Sequence, residues 1–407
     1  MEGYAEKVER GDKMAGGIKD KVAIIGMGCS KFGERWDCSL DDLIIEAVSE
    51  CCSSSGVDLK DIEAYWFGTF SSSTTGALPF SMCMKIPYKP VTRVENMCAT
   101  GSDAFRNACY AVASGAYDLV MAIGAEKLKD SGYSGLETPM VHSDRTAPEP
   151  TAPARFALLA PAYAEKYKID MKKLKEIMAK IAWKNHHNGA LNPKAQYQEE
   201  IPLEKIINSP MVAYPLGVMD CSGVADGASC AIICRAEDVH KYTKQPIYVK
   251  ALSIVAGSGY GERHRDYDYT VVWETYHAAQ YAYQEAGIKN PRQEISFAEV
   301  HDCFTITELV LYEDLRLSPR GSGWKDVENG FFELTGMLPV NPDGGLKSFG
   351  HPIGATGLRM LYECFLQFRG EAGDRQIANP KLALTHNLGG QPAYCVSSVC
   401  IVGNEPG

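Results

Sequence analysis

The sequence has no uninterrupted apolar run near the roughly 18 residues needed to cross a bilayer, which excludes a helical membrane anchor. Its first twenty residues are polar and mixed in charge. They lack the apolar core of a secretion signal, so residues 1–20 read as a flexible tail and export is not expected. There is no excess of positive charge: the formal net charge of −10 disfavours nonspecific nucleic-acid binding, and a polyanionic ligand needs a local basic patch or a partner's help. There is no Cys-x-x-Cys pair and no Cys/His group at zinc spacing, so no structural metal is expected in this chain. Gly26-Met27-Gly28 is not continued to the G-x-G-x-x-G spacing, and no dinucleotide role is assigned to it.

What is present fits an ordinary globular protein, with 45% apolar and 23% charged residues over 407 positions. That length allows two core-bearing domains, or one large α/β unit carrying an insertion. The fourteen cysteines are scattered through segments that read as buried, among them Cys109, Cys230, Cys234, Cys364, Cys395 and Cys400. They read as small core residues in a reducing compartment, hence a cytoplasmic protein.

Strand and helix signals alternate. Residues 21–28 predict a strand, Ser39 caps a helix through 52, strands follow at 63–70 and 91–95, a helix at 99–114 and a buried strand at 118–124. Such alternation predicts an α/β fold with helices on the faces of a parallel sheet. From 126 to 218 prolines, charges and isolated helices (161–167, 171–185) read as an inserted loop region. A helical start at 220–229 then leads to a strand around 230–234, which closes a first half made of 21–125 and 219–240. After a linker near 241–245, residues 246–407 repeat the alternation: strands at 247–255, 296–300, 345–349, 382–386 and 393–402, and helices at 270–286, 305–315 and 355–370. Ala99-Thr100-Gly101 recurs as Ala355-Thr356-Gly357, each just after an expected strand and opening a long helix, which points to a duplicated fold.

Cys98 stands where a strand turns into a helix through small residues. Backbone N–H groups and the helix dipole there favour a thiolate and predict a lowered pKa, although the position alone also suits a core cysteine. His351, in Gly350-His351-Pro352, opens a helix in the other half; if the halves pack about a pseudo-twofold axis, the two helix starts converge and set an imidazole beside the thiol. A structural capping role fits that histidine equally well. His301-Asp302-Cys303-Phe304 follows a strand and offers a second imidazole and a second thiol, though a core cysteine is the default for Cys303 taken alone. Two thiols and two imidazoles suit a Claisen reaction, one sulfur holding an acyl group and the other moving a proton. The glycine turn His386-Asn387-Leu388-Gly389-Gly390 offers N–H groups toward a site, or is a plain β-turn.

In order and spacing these segments resemble the thiolase superfamily over about residues 21–402, and most closely the branch of sterol-carrier-protein-2 and archaeal-type thiolases, in which His-Asp-Cys-Phe replaces Asn-Glu-x-Phe. The resemblance implies two βαβαβαββ halves in a five-layer αβαβα arrangement. It further implies an acyl intermediate on Cys98, proton transfer by His351, an enolate held by His351 and by a water on His301, and an acid/base role for Cys303. The N–H groups of Cys98 and Gly389 would hold the oxyanion, and Ser222 would contact coenzyme A, the cosubstrate. This sequence departs from the common pattern in having Asn387-Leu388-Gly389 where ordinary thiolases carry Cys-x-Gly, and Cys303 is expected to take over that task. The expected substrate is acetoacetyl-CoA or an aromatic 3-oxoacyl-CoA such as 2-benzoylsuccinyl-CoA. Phe70, Phe80 and Tyr260 either line a larger pocket or are plain core. The expected assembly is a homodimer carrying a small zinc-ribbon/OB-fold partner. Competing readings are a condensing enzyme like HMG-CoA synthase on the same fold, and a noncatalytic scaffold.

Overall fold

A computed structural model describes residues 17–72, 75–131, 151–264 and 266–407. Most of the expected flexible tail, residues 1–16, lies outside the described residues. The rest of it is docked: Ile18 is buried, its N–H donates to Glu285 Oε1 at 2.6 Å, and Asp20 pairs with the Lys250 ammonium at 2.5 Å. An apolar side chain with a core site to fill and a paired carboxylate keeps this stretch ordered.

Nine strands form one sheet: β1 (Val22–Cys29), β2 (Ala64–Gly68), β3 (Val91–Val94), β4 (Leu119–Glu126), β5 (Gly227–Arg235), β6 (Ile247–Ala256), β7 (Phe297–Glu299), β8 (Leu382–Gln391) and β9 (Tyr394–Gly403). Their spatial order is β3-β2-β4-β5-β1-β6-β9-β8-β7. The first five repeat, mirrored, in the remaining four, and the halves join where β1 pairs antiparallel with β6, Ala23 opposite Tyr248 and Ile24 opposite Ile247. The counterpart of β3 in the second half shrinks to a single bridge between Ala298 and Val340. Strands β2, β3 and β4 are mutually parallel, whereas β5 runs antiparallel to both of its neighbours, so the sheet is mixed.

Helices α1 (Leu40–Ser55), α2 (Thr100–Ala113), α3 (Met171–Ala190), α4 (Trp273–Ala286), α5 (Thr305–Asp314), α6 (Gly345–Phe349) and α7 (Ile353–Arg369) carry the argument below. Ser39 and Asp42 close a capping box at the start of α1, a device worth about 1 kcal/mol. Gly26 lets this helix lie against β1: a Cβ there would stand 2.5 Å from Ser55 Cβ, so the early glycines serve packing. Helices α2 and α7 pack on each other and on strands of the sheet; α1 lies against β1 and β5, and α4 against β6 and β9. Gly101 permits the central crossing, since a Cβ there would meet the Gly354 carbonyl at 2.7 Å. Gly357 answers it from α7, with its missing Cβ against Ser102. The recurrent Ala-Thr-Gly is therefore the place where the two long helices cross at their first turns.

Three local expectations fail. Residues 345–349 form helix α6 and not a strand, because Gly344 (φ 108) and Gly345 (φ 61) turn the chain and the Asp302 carboxylate accepts the Leu346 and Lys347 N–H groups at 2.6 and 3.0 Å. Residues 221–226 are not helical. Their backbone groups go to neighbouring segments, Ser222 N–H to Cys303 O at 2.9 Å and Asp226 N–H to Gly33 O at 2.8 Å. The glycine stretch 386–390 is not a turn but lies inside β8, with Gly389 opposite Val396; the chain reverses beyond Gln391.

Candidate active site

The turn that carries Cys98 is built by its own neighbours. After β3 the chain enters a left-handed residue, Met97 (φ 51), and then Cys98 precedes α2. The Thr100 hydroxyl accepts from Asn96 N–H at 2.9 Å and donates to Met97 O at 2.5 Å, and Glu95 accepts the Met97 N–H at 2.6 Å. Three side-chain contacts thus hold a conformation that costs a non-glycine residue on the order of 1 kcal/mol. Cys98 retains some exposure. Burial pushes its thiol up to about 12; the N–H groups of Gly390 and of Cys98 itself pull the other way, and Glu126 and Glu95 add to the rise. The expected lowered pKa is overturned: desolvation outweighs the helix start, and Cys98 rests as a thiol.

Two imidazoles stand beside this thiol. One ligand atom each of Cys98, His301 and His351 lies within 4.8 Å of the other two, and the two imidazoles meet edge to face with centroids 5.2 Å apart. His351 Nδ1 stands 2.7 Å from Thr356 Oγ1, whose hydroxyl donates to Pro352 O at 2.9 Å. With that hydroxyl hydrogen directed to Pro352 O, the ring is assigned the tautomer in which Nδ1 donates to Thr356 and Nε2 keeps its lone pair. That Nε2 is buried and without a partner in the protein. Burial, together with the Arg359 guanidinium, lowers the His351 pKa to about 3, so the ring is neutral. His301 is held neutral in the same way, by burial first and then by His351, His386 and Arg359.

The turn carrying His301 is clamped to the rest of the site. Asp302 caps α6 with both carboxylate oxygens and receives Asn185 Nδ2 at 2.7 Å. The extended stretch 221–224 bridges the turns that carry Cys303 and His351: Ser222 N–H donates to Cys303 O at 2.9 Å, and Gly223 O accepts His351 N–H at 3.0 Å. Cys303 is buried, with Sγ 3.8 Å from Thr307 Oγ1. Burial raises its pKa strongly, and the nearby Cys98 sulfur adds to the rise. Ser222, expected from the resemblance to contact coenzyme A, is partly buried and bonds the Cys303 backbone.

Strand β8 brings its glycines onto the Cys98 turn. A Cβ on Gly389 would stand 2.5 Å from Asn96 O and 3.1 Å from the Cys98 nitrogen, so only glycine fits. The N–H that faces the Cys98 sulfur belongs to the next residue, Gly390. Asn387 accepts from the Ser102 hydroxyl at 2.6 Å, and its Nδ2 is buried without a partner.

Behind both imidazoles lies Arg359, fully buried on α7, which donates to Glu299 Oε2 at 2.6 Å and pairs with Asp343. It joins the end of β7, two residues before His301, to the segment that enters α6. Sequence reasoning passes over Arg359 altogether. Thr356 and Asp302 enter it only as members of the recurrent tripeptide and of the His301 turn, with no role of their own, and Gly390 only as part of the glycine turn. Of the three aromatics considered for a pocket, Phe80 is core, stacked on Phe67 at 5.7 Å. Taken together, the site offers a thiol, a neutral base with a fixed tautomer, a second thiol and backbone donors, the set needed to attack a carbonyl and to hold the resulting oxyanion.

Known proteins share this arrangement of segments. Residues 22–214 match the family "Thiolase, N-terminal domain", and residues 259–404 match "Thiolase C-terminal domain-like". An acetyl-CoA acetyltransferase of Methanothermobacter thermautotrophicus is 37% identical over 91% of this chain and 96% of its own length. The benzoylsuccinyl-CoA thiolase subunit BbsB of Thauera aromatica is 33% identical over 92% and 96%, and human sterol carrier protein 2 is 32% identical over 91% and 70%. Among solved structures, the Ltp2-ChsH2(DUF35) aldolase superposes with a TM-score of 0.81 at 23% identity over 95% of this chain and 98% of that one. Human mitochondrial 3-ketoacyl-CoA thiolase superposes at 0.66 and 17% over 95% and 98%. The chain belongs to the thiolase family and is an acyltransferase of that family.

Proposed function

We propose that the protein cleaves or forms a 3-oxoacyl-CoA through an acyl-thioester on Cys98. The observation that carries the reading is the Cys98 thiol within 4.8 Å of two buried imidazoles, one of which has a lone pair fixed by Thr356. In the cleavage direction His351 Nε2 accepts the Cys98 proton as Sγ bonds to the 3-oxo carbon. The oxyanion is held by the Cys98 N–H and by the β8 backbone at Gly389 and Gly390. Collapse breaks the bond between the α and β carbons and leaves the acyl group on Cys98. Cys303 protonates the departing enolate at carbon, while His351 and a water on His301 hold its oxygen. The thiol of coenzyme A, positioned with the help of Ser222, then removes the acyl group. Synthesis runs the same steps backward.

The substrate is acetoacetyl-CoA or an aromatic 3-oxoacyl-CoA such as 2-benzoylsuccinyl-CoA; the names of two relatives support these two chain types. The assembly is a homodimer with a small zinc-ribbon/OB-fold partner, in a reducing cytoplasm. Strand β3 forms one edge of the sheet, and the segment that leads from β2 into it exposes Leu78, Met82 and Tyr88, apolar side chains that a second subunit would cover. One structural relative, the Ltp2-ChsH2(DUF35) aldolase, is named as a pair with a DUF35 protein, which supports a partner here. All fourteen cysteines are free, in keeping with a reducing compartment.

Intact-mass measurement and peptide mapping after brief incubation with acetoacetyl-CoA and with 2-benzoylsuccinyl-CoA test the reading. An acetyl or a benzoyl group on the Cys98 peptide, absent from Cys98→Ala along with all thiolysis, is the expected result. Turnover retained by Cys98→Ala would overturn it.

A further inference from the structure

The three groups that meet at the site are also a set of soft metal ligands. A thiol and two imidazole nitrogens within 4.8 Å of one another are the only such His/Cys/Asp/Glu cluster among the described residues. Three further observations point to a ligand there. His351 Nε2 is buried, unpartnered, and carries a lone pair because Nδ1 gives its hydrogen to Thr356. His301 Nδ1 is likewise buried without a partner, so neither ring is committed on both sides to the protein. Cys98, the third member, is only partly buried as a residue.

We propose that Cys98, His301 and His351 bind a thiophilic divalent cation, Zn2+ in particular, as a reversible inhibitory site. Zinc bonds of about 2.3 Å to sulfur and about 2.0–2.1 Å to nitrogen place tetrahedral ligand atoms roughly 3.3–3.6 Å apart. From separations of up to 4.8 Å the trio has to close by at most about 1.2–1.5 Å, a movement within the reach of side-chain rotation. The Thr356 hydroxyl on the far nitrogen of His351 is the kind of outer contact that orients a metal-bound imidazole. Binding exchanges one S–H bond for one S–Zn bond: the Cys98 proton leaves to solvent, both imidazoles give lone pairs without losing a proton, and no electron is transferred. A water completes the fourth position. The ion takes both the sulfur pair that would attack a carbonyl and the imidazole pair that would take the proton, so occupation stops acyl transfer. The coordination needs no acyl substrate, and the inference stands or falls independently of the reaction proposed above.

The test uses the full metal-free protein with Co2+ as a spectroscopic probe and Zn2+ as competitor. Co2+ is expected to give a thiolate-to-cobalt band in the near ultraviolet, lost in Cys98→Ala, weakened in His301→Ala and His351→Ala, and displaced by Zn2+. A second reading needs no variant: Zn2+ should protect Cys98 from alkylation while leaving the partly exposed Cys83 reactive, and a chelator should restore Cys98 reactivity. A cobalt band that persists in Cys98→Ala, or Cys98 alkylation unaffected by Zn2+, would overturn the proposal.

Discussion

His351 Nδ1 lies 2.7 Å from Thr356 Oγ1, and this contact sets which ring nitrogen carries the hydrogen. The same tripeptide position in the first half, Thr100, holds the turn before Cys98 by bonding Asn96 N–H and Met97 O. Each half thus uses one threonine, in the first turn of its central helix, to fix the reactive group that precedes it. Thr356→Val removes the acceptor and frees the ring to adopt the wrong tautomer, and kcat should fall by about 10–100-fold, the usual cost of losing such an outer contact. Thr356→Ser should restore most of it. Equal losses in both variants, measured by steady-state thiolysis, would place the role of Thr356 in packing.

Gly389→Ala tests the close approach of β8 to the Cys98 turn. The new methyl would stand 2.5 Å from Asn96 O and 3.1 Å from the nitrogens of Cys98 and Ala99, all of them backbone atoms that cannot rotate away. Displacing the Cys98 N–H from the oxyanion should lower kcat on the order of a hundredfold. Thermal melting separates this from unfolding: a folded variant with a changed melting temperature and near-normal kcat would show that the close approach serves only packing.

How much of this is legible in the sequence follows from where each signal lives. Cys98, His301 and His351 stand out as residue types at strand-to-helix junctions, and their convergence follows once the halves are seen as duplicates, since Ala99-Thr100-Gly101 and Ala355-Thr356-Gly357 mark the crossing of α2 and α7. Helix α6 reads as a strand because its formation depends on Asp302, more than forty residues earlier, which caps it. The stretch 221–226 misleads for a similar reason: small residues permit a helix, but the carbonyls of Cys303 and Gly33 claim their N–H groups. The direction of the Cys98 shift escapes the sequence because a helix start is local and legible, whereas burial is assembled from both halves.

Cys303→Ala should divide the reaction. The thiol is buried beside Cys98, where it can serve an α-carbon but is not needed to form the first acyl-thioester. Thiolysis should drop on the order of a hundredfold or more, the scale of a lost acid/base group. Exchange of the α-protons of acetyl-CoA with deuterated water, followed by mass spectrometry, should drop with it, while acetyl loading of Cys98 from acetyl-CoA persists. Near-normal turnover would refute the acid/base assignment.

Lys347, on α6, is a buried cation that pairs with no carboxylate within ion-pair distance among the described residues; its ammonium lies 5.9 Å from the Tyr197 ring. Burial lowers its pKa from 10.5 to about 8, against the pull of Cys221, Asp302 and Asp220. The sign follows from proton counting. Between about pH 8 and 10.5 the unfolded chain holds this proton and the folded chain does not, so stability rises with pH through that window, and below about pH 8 the whole cost of burying the charge is present. At roughly 1.4 kcal/mol per pH unit the cost at pH 7 is on the order of 3 kcal/mol. Lys347→Met, which keeps the length and removes the charge, should therefore be more stable than the natural chain at pH 7. The advantage should shrink as pH climbs from about 8 and vanish near 10.5. Denaturant titrations of both proteins across that range check it: a difference independent of pH would mean that the buried ammonium is solvated or paired in solution.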